Sequence, residues 1–163
     1  MKILHITSEL DAGGVDVLLY LWQRSLKKQG VEMDFLVNSK NRGSIENNMT
    51  ISGTNIYRTC PLRTNLLKNI WDVYAIIKKN KYDIVHIHSG YKAFLHLFLA
   101  KLALVKVRIV HTHNIPCCNS RIDNIFFRIT RIFTLYLATS IFSCGYTAAQ
   151  KMWGDSTKIK DKL

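Results

Sequence analysis

Proline is nearly absent from these 163 residues, which contain two. With 48% hydrophobic and 21% charged residues, that scarcity argues against disorder and for a chain that fills a core. At this length one domain is the starting expectation. Cysteine is sparse as well. The four, Cys60, Cys117, Cys118 and Cys144, follow no zinc-ligand spacing, and adjacent Cys117 and Cys118 do not readily pair. They read as reduced thiols, which implies a cytoplasmic protein. No uncharged apolar run reaches the roughly 18 residues of a membrane-spanning helix. No secretory leader opens the chain: a few apolar residues follow Lys2 before Ser8 and Glu9, and no small-residue cleavage site closes them. Acidic residues are few, 11 against 23 Lys and Arg, leaving a net charge of +12. That excess calls for an anionic partner such as a phosphate-bearing substrate, a membrane surface or nucleic acid, without choosing among them.

The familiar catalytic signatures are missing too. There is no G-x-S-x-G elbow, no P-loop and no G-x-G-x-x-G fingerprint, and Cys117-Cys118 lies in no recognised catalytic context. No aromatic-rich RNA signature or helix-turn-helix spacing is present, so nucleic acid is not the expected partner. Internal repeats and low-complexity segments are absent.

What is there begins with the first thirty residues. Lys2 to Thr7 is an apolar run of strand length, and Ser8 to Gly14 is a turn-former cluster ending in paired glycines. From Val15 the period changes, with Val15, Leu18, Leu19, Trp22 and Leu26 on one helical face and Gly30 at its end. A helix N-terminus after a glycine loop offers unpaired N–H groups and a positive dipole end to an anion. Two readings of Gly13-Gly14 stand side by side: a cradle for an anionic or sugar-like ligand, or merely a tight strand-to-helix turn.

Further strands are expected at Val31 to Asn38, within Asn55 to Thr59 (a candidate edge strand), at Asp83 to His88, Lys106 to His113 and Thr139 to Cys144. Between the first two of these, SKNRGSIENN reads as a polar loop. Helices are expected from Thr64 or Asn65 to Asn80, from Gly90 to Leu104, from Arg121 to Ala138, and from Tyr146 to Trp153, closed by Gly154. Pro61 breaks the chain before the first of them, and the 114–119 segment reads as a loop containing Pro116. Alternating strands and helices imply an α/β, doubly wound, Rossmann-like and mostly parallel sheet with helices on both faces. Its ligands would bind outside the C-terminal strand ends. Three clusters fall there: Gly13-Gly14; His86 and His88 with Ser89-Gly90; and His111, His113 and Asn114.

Within a strand, residues two apart share a face, so His86 with His88 and His111 with His113 form matching pairs. Four imidazoles could hold zinc, but no carboxylate or cysteine is placed with them, and no metal is expected. The last histidine of each strand is expected to reach the cleft, with His86 and His111 as core histidines. Asp16 lies in the first helical turn, where the dipole favours a carboxylate. Arg121, Arg128 and Arg131 flank Phe126, Phe127, Ile129, Ile132 and Phe133. They suggest either a membrane-facing basic stripe or an ordinary sheet-covering helix with a solvated basic edge.

MKILHITSELDAGGVDVLLYL resembles the opening of glycosyltransferase family 4 enzymes. KYDIVHIHSG resembles their D-hydrophobic-V-H-x-H strand, VRIVHTHN their strand ending in histidine, and FSCGYTAAQKMWG their CS-x-A-A-A…FG segment. The four occur in the family's order, and the closest likeness is to capsular or exopolysaccharide enzymes. The resemblance implies the N-terminal, acceptor-side half of a GT-B fold, spanning 1–154, with 155–163 as the start of a linker. The donor-binding E-x7-E motif is not among these residues. Gly13 and Gly14 would line the donor phosphates, His113 would approach the reacting sugar, and His88 and Ser89 would form the rim with Asn114. Asp16 stands where the family favours Glu, and Gly145 where it favours Ser.

The expected function is acceptor binding in a retaining, metal-independent transferase. It would move sugar from a nucleotide-sugar to a lipid-linked glycan in surface polysaccharide assembly, at the inner face of the plasma membrane. A C-terminal glycosyltransferase domain is an expected partner, and the chain alone is expected to be inactive. Alternatives are a non-catalytic subunit completing a separately encoded catalytic domain, or a stand-alone nucleotide-binding protein.

Overall fold

The computed structural model describes residues 1–60, 64–114 and 120–154. Pro61, the loop cysteines Cys117 and Cys118, Pro116, and the 155–163 tail lie outside the described residues.

Six strands are present: β1 (Lys2–Thr7), β2 (Glu32–Val37), β3 (Ile56–Arg58), β4 (Ile84–Ile87), β5 (Val107–Thr112) and β6 (Ser140–Ser143). They form one sheet in the order β3-β2-β1-β4-β5-β6, with every pairing parallel. The chain winds outward from β1 through β2 to β3, then crosses to β4 and winds the other way. The switch point therefore lies between β1 and β4, where such sheets bind ligands. The candidate edge strand, β3, is indeed at an edge.

The helices are α1 (Gly14–Lys27), α2 (Glu46–Ile51), α3 (Leu66–Asn80), α4 (Phe94–Leu102), α5 (Arg121–Leu137) and α6 (Tyr146–Trp153). Two are capped by side chains: Asn65 Oδ1 accepts from Lys68 N (2.9 Å), and Ser120 Oγ accepts from Asp123 N (3.0 Å). Strand side chains alternate between two cores. Leu4, Ile6, Leu36, Val85, Ile87, Val110 and Ile141 pack with α3, α4, α5 and α6 around Trp153. Ile3, Met33, Phe35 and Val37 pack with Leu19 of α1 and Met49 of α2. Each large apolar side chain so buried contributes roughly 1.5–3 kcal/mol.

Three expectations change. The SKNRGSIENN segment is not all loop: Glu46 opens α2. The helix expected over 90–104 is split into a 3₁₀ turn, Gly90–Ala93, and then α4. Gly90 opens the turn with a φ of +56°, which does not belong in an α-helix. A Cβ there would also approach Met152 Cε to 3.0 Å. The third concerns α5, whose apolar face is turned to solvent rather than to the sheet. Thr130, Thr134 and Leu137 are its buried residues. Ile122, Ile125, Ile129, Ile132 and Tyr136, with Phe126 and Phe133, are exposed, Ile122 by 78% and Tyr136 by 73%. Thr134 Oγ1 donates to Tyr91 O at 3.0 Å, which holds the polar side inward.

Candidate functional site

The C-terminal edges of β1, β4 and β5 are adjacent, so the sheet brings the three predicted clusters to one rim. Gly13 is the residue before α1, and both Gly13 and Gly14 are exposed. Neither requires glycine for its backbone. Gly13 is extended at φ −70°, ψ 157°, and Gly14 has no positive φ. A Cβ added at Gly14 would meet nothing within 4 Å, while one at Gly13 would reach Asp16 Oδ2 at 3.0 Å. At Gly14, though not at Gly13, the tight-turn reading therefore loses its physical basis, and the space beside Gly14 is open.

Asp16 does not face that space. It is buried, and its Oδ2 accepts from Asp11 N at 3.2 Å. Burial raises its carboxyl above the ordinary value, against the N–H donors of Asp11 and Gly13. Asp11 in turn accepts from Ser44 N at 3.1 Å, and hydrogen bonds from the Ser44 side chain first and its backbone second lower the Asp11 carboxyl. At Gly43 a Cβ would fall 1.7 Å from Leu10 O, so the 39–45 segment lies directly against the glycine loop. Gly43 N donates to Glu46 Oε1 (3.0 Å), and Arg58 pairs with the same carboxylate. No local pattern announces this buttress, because it depends on two loops meeting.

Five of the six histidines, all but His96 of α4, form a single row on the face that carries α1. His5 stands opposite His86 in the β1–β4 register. His5 Nδ1 lies 3.1 Å from His88 Nε2, and His88 Nδ1 lies 2.9 Å from His113 Nε2. His86 and His111 stack at 5.4 Å and 9°. Trp22 of α1 lies over His5 and His86, and Phe142 meets His86 and His111 edge-on at 5.8 Å. His86 and His111 are buried, as expected, while His88 and His113 are half-buried at the rim.

Burial and mutual repulsion keep all of these rings neutral. His86 and His88 are pushed down to about 2, His111 to about 4, and His5 and His113 also lie below the usual value. Neutral imidazoles donate from one nitrogen and accept at the other, so the rim offers hydrogen bonding without charge. Three buried nitrogens, His5 Nε2, His86 Nε2 and His111 Nδ1, have no hydrogen-bond partner. No sequence pattern marks His5, because its role depends on β1 lying beside β4.

Ser89 is half-buried and Asn114 exposed at the same rim. The arginines divide. Arg121 and Arg128 are exposed on α5. Arg131 is half-buried and donates to Trp153 O at the end of α6. Among the described residues, no helix is long and apolar enough to cross a membrane.

Residues 12–152 match Glycosyltransferase Family 4. The chain is 25% identical over 166 residues to a Bacillus subtilis (strain 168) protein named as a glycosyltransferase, EpsF, covering 99% of this chain and 43% of that protein. MurG of Acinetobacter baumannii shares its fold with a TM-score of 0.62 at 16% identity, covering 91% of this chain and 42% of MurG. Anabaena HepE, solved in complex with UDP, does so at 0.66 and 13%, covering 94% and 40%. The chain thus spans less than half the length of each of these proteins. Its parallel sheet is the Rossmann-like half of a GT-B fold, and the chain belongs to glycosyltransferase family 4.

Proposed function

We propose that this chain is the acceptor-side half of a retaining, metal-independent sugar transferase of surface polysaccharide assembly. The observation that carries the reading is Gly14. The fold itself leaves room for a side chain there, so its glycine suits the close approach of another molecule. The N-terminal N–H groups of the 14-residue helix α1 would face the donor diphosphate. His113, a neutral ring on the rim, would hydrogen-bond the transferring sugar or the acceptor. His88, Ser89 and Asn114 would border the acceptor.

The acceptor is lipid-linked. The exposed apolar stripe of α5, flanked by Arg121 and Arg128 in a chain of net charge +12, supports a peripheral contact with an anionic bilayer. Donor binding is supplied from outside these residues, which hold no E-x7-E.

The test uses the purified chain with vesicles carrying a polyprenyl-diphosphate-linked monosaccharide. It should bind these better than plain vesicles, lose the difference in His113→Ala, and transfer no sugar from a panel of nucleotide-sugars. Equal binding to both vesicles would remove the acceptor role, and measurable transfer would overturn the division between two halves.

A further inference from the structure

The row of imidazoles holds more nitrogen ligands than a sugar contact uses. We propose that His88, His111 and His113 form a site for one divalent transition-metal ion of the zinc class, at the C-terminal edge of β4 and β5. One ring nitrogen from each lies within 4.8 Å of the others. Tetrahedral zinc, with Zn–N bonds near 2.0–2.1 Å, spaces its ligand nitrogens by about 3.3 Å. His88 Nδ1 and His113 Nε2 already stand 2.9 Å apart, so side-chain rotations at a half-buried rim complete the set.

The surroundings fit a metal ligand set. A metal-bound imidazole normally donates its second N–H to a fixed acceptor, which sets its tautomer and orientation. With the ion on His88 Nδ1, the proton sits on His88 Nε2, 3.1 Å from His5 Nδ1. His111 is 92% buried, and its Nδ1 has no hydrogen-bond partner. Three imidazoles without a carboxylate suit zinc, copper or nickel rather than magnesium or calcium.

A second trio, His5, His86 and His88, meets the same distance limit. Its His5 and His86 are 2% and 4% exposed, so only His88 of that trio reaches the rim. In the first trio His88 and His113 both do, which opens the site to solvent and leaves a fourth position for water. The site does not depend on the transferase reading. It would engage the His113 lone pair that the reading assigns to sugar, so the ion is not a cofactor of transfer.

The experiment titrates the full chain, prepared without a polyhistidine tag, with Co²⁺ at neutral pH. Expected are the visible absorption of four-coordinate Co²⁺ saturating at one ion per chain, its loss on adding Zn²⁺, and no calorimetric heat with Mg²⁺. His113→Ala and His111→Gln should each abolish the absorption and weaken Zn²⁺ binding at least about tenfold, by comparison with the loss for outer partners of metal ligands. His5→Phe should weaken binding while retaining the absorption. Thermal unfolding without metal checks that each variant folds, and Zn²⁺ should raise the melting temperature of the parent but not of His113→Ala. Absence of Co²⁺ absorption and Zn²⁺ heat in the parent overturns the proposal. So does binding that survives His113→Ala, which would put the ion on the buried trio.

Discussion

His88 Nδ1 lies 2.9 Å from His113 Nε2, and its other nitrogen lies 3.1 Å from His5 Nδ1, so one ring links β1 to the end of β5. A neutral imidazole carries one N–H, so the protons of this chain must all run in one direction. The tautomer of His113 is therefore tied to that of His88. Imidazole ¹⁵N NMR of the metal-free protein should show one dominant tautomer at His113. His88→Phe should produce a mixture there. A mixture already present in the parent would show that the link does not operate.

The histidine row and His96, buried on α4, together set the acid limit of the fold. His86, His88, His96 and His111 have native pKa values of about 2, 2, 4 and 4, against 6.5 for the unfolded chain. Below pH 6.5 the unfolded state binds protons that the native state refuses, so stability is present above that pH and falls as pH drops. Each buried ring contributes a slope approaching about 1.4 kcal/mol per pH unit until its native pKa is reached. With several acting together against a typical total of about 5–15 kcal/mol, unfolding is expected near pH 5. Circular dichroism against pH checks this. A melting temperature unchanged between pH 7 and pH 5 would contradict it.

Gly43 and Gly14 should respond oppositely to alanine. A methyl at Gly43 collides with Leu10 O, so the two loops must separate, at about 1–3 kcal/mol by urea denaturation. At Gly14 nothing is displaced, and stability should stay within about 0.5 kcal/mol. A destabilised Gly14→Ala would mean that the fold, not a ligand, needs that glycine.

On α5 the arginines separate structure from surface binding. Arg131→Ala leaves Trp153 O without its donor and should cost about 1–2 kcal/mol. Arg128→Ala should leave stability within about 0.5 kcal/mol but weaken sedimentation with phosphatidylglycerol vesicles. Ile129→Asp, on the exposed stripe, should weaken it further. Unchanged vesicle binding in both would exclude α5 as the membrane contact.

Much of this architecture was legible in residue order. Lys2–Thr7 kept its expected limits, Asn65 caps α3 and β3 is an edge strand. Periodicity and capping are local properties, carried within a few residues. The reading failed where a backbone exception or a distant contact intervened. Gly90 at positive φ does not open the α-helix that its apolar neighbours described, and α geometry begins only at Phe94. Residue order leaves α5 open between a membrane-facing stripe and a sheet-covering helix, and the bond of Thr134 to Tyr91 O turns its threonines inward.

The sequence by itself determined the strand–helix alternation, the parallel sheet it requires, and the placement of Gly13-Gly14, His88 and His113 at strand ends. Each follows from side-chain period and turn chemistry along the chain. Only the tertiary structure decided which strands are neighbours. It set β1 against β4, bringing His5 to His86 and His88, placed Gly43 under Leu10, and turned Arg131 toward α6. These relations join residues between 22 and 83 positions apart, and no local pattern encodes them because strand order is settled by how the whole sheet packs.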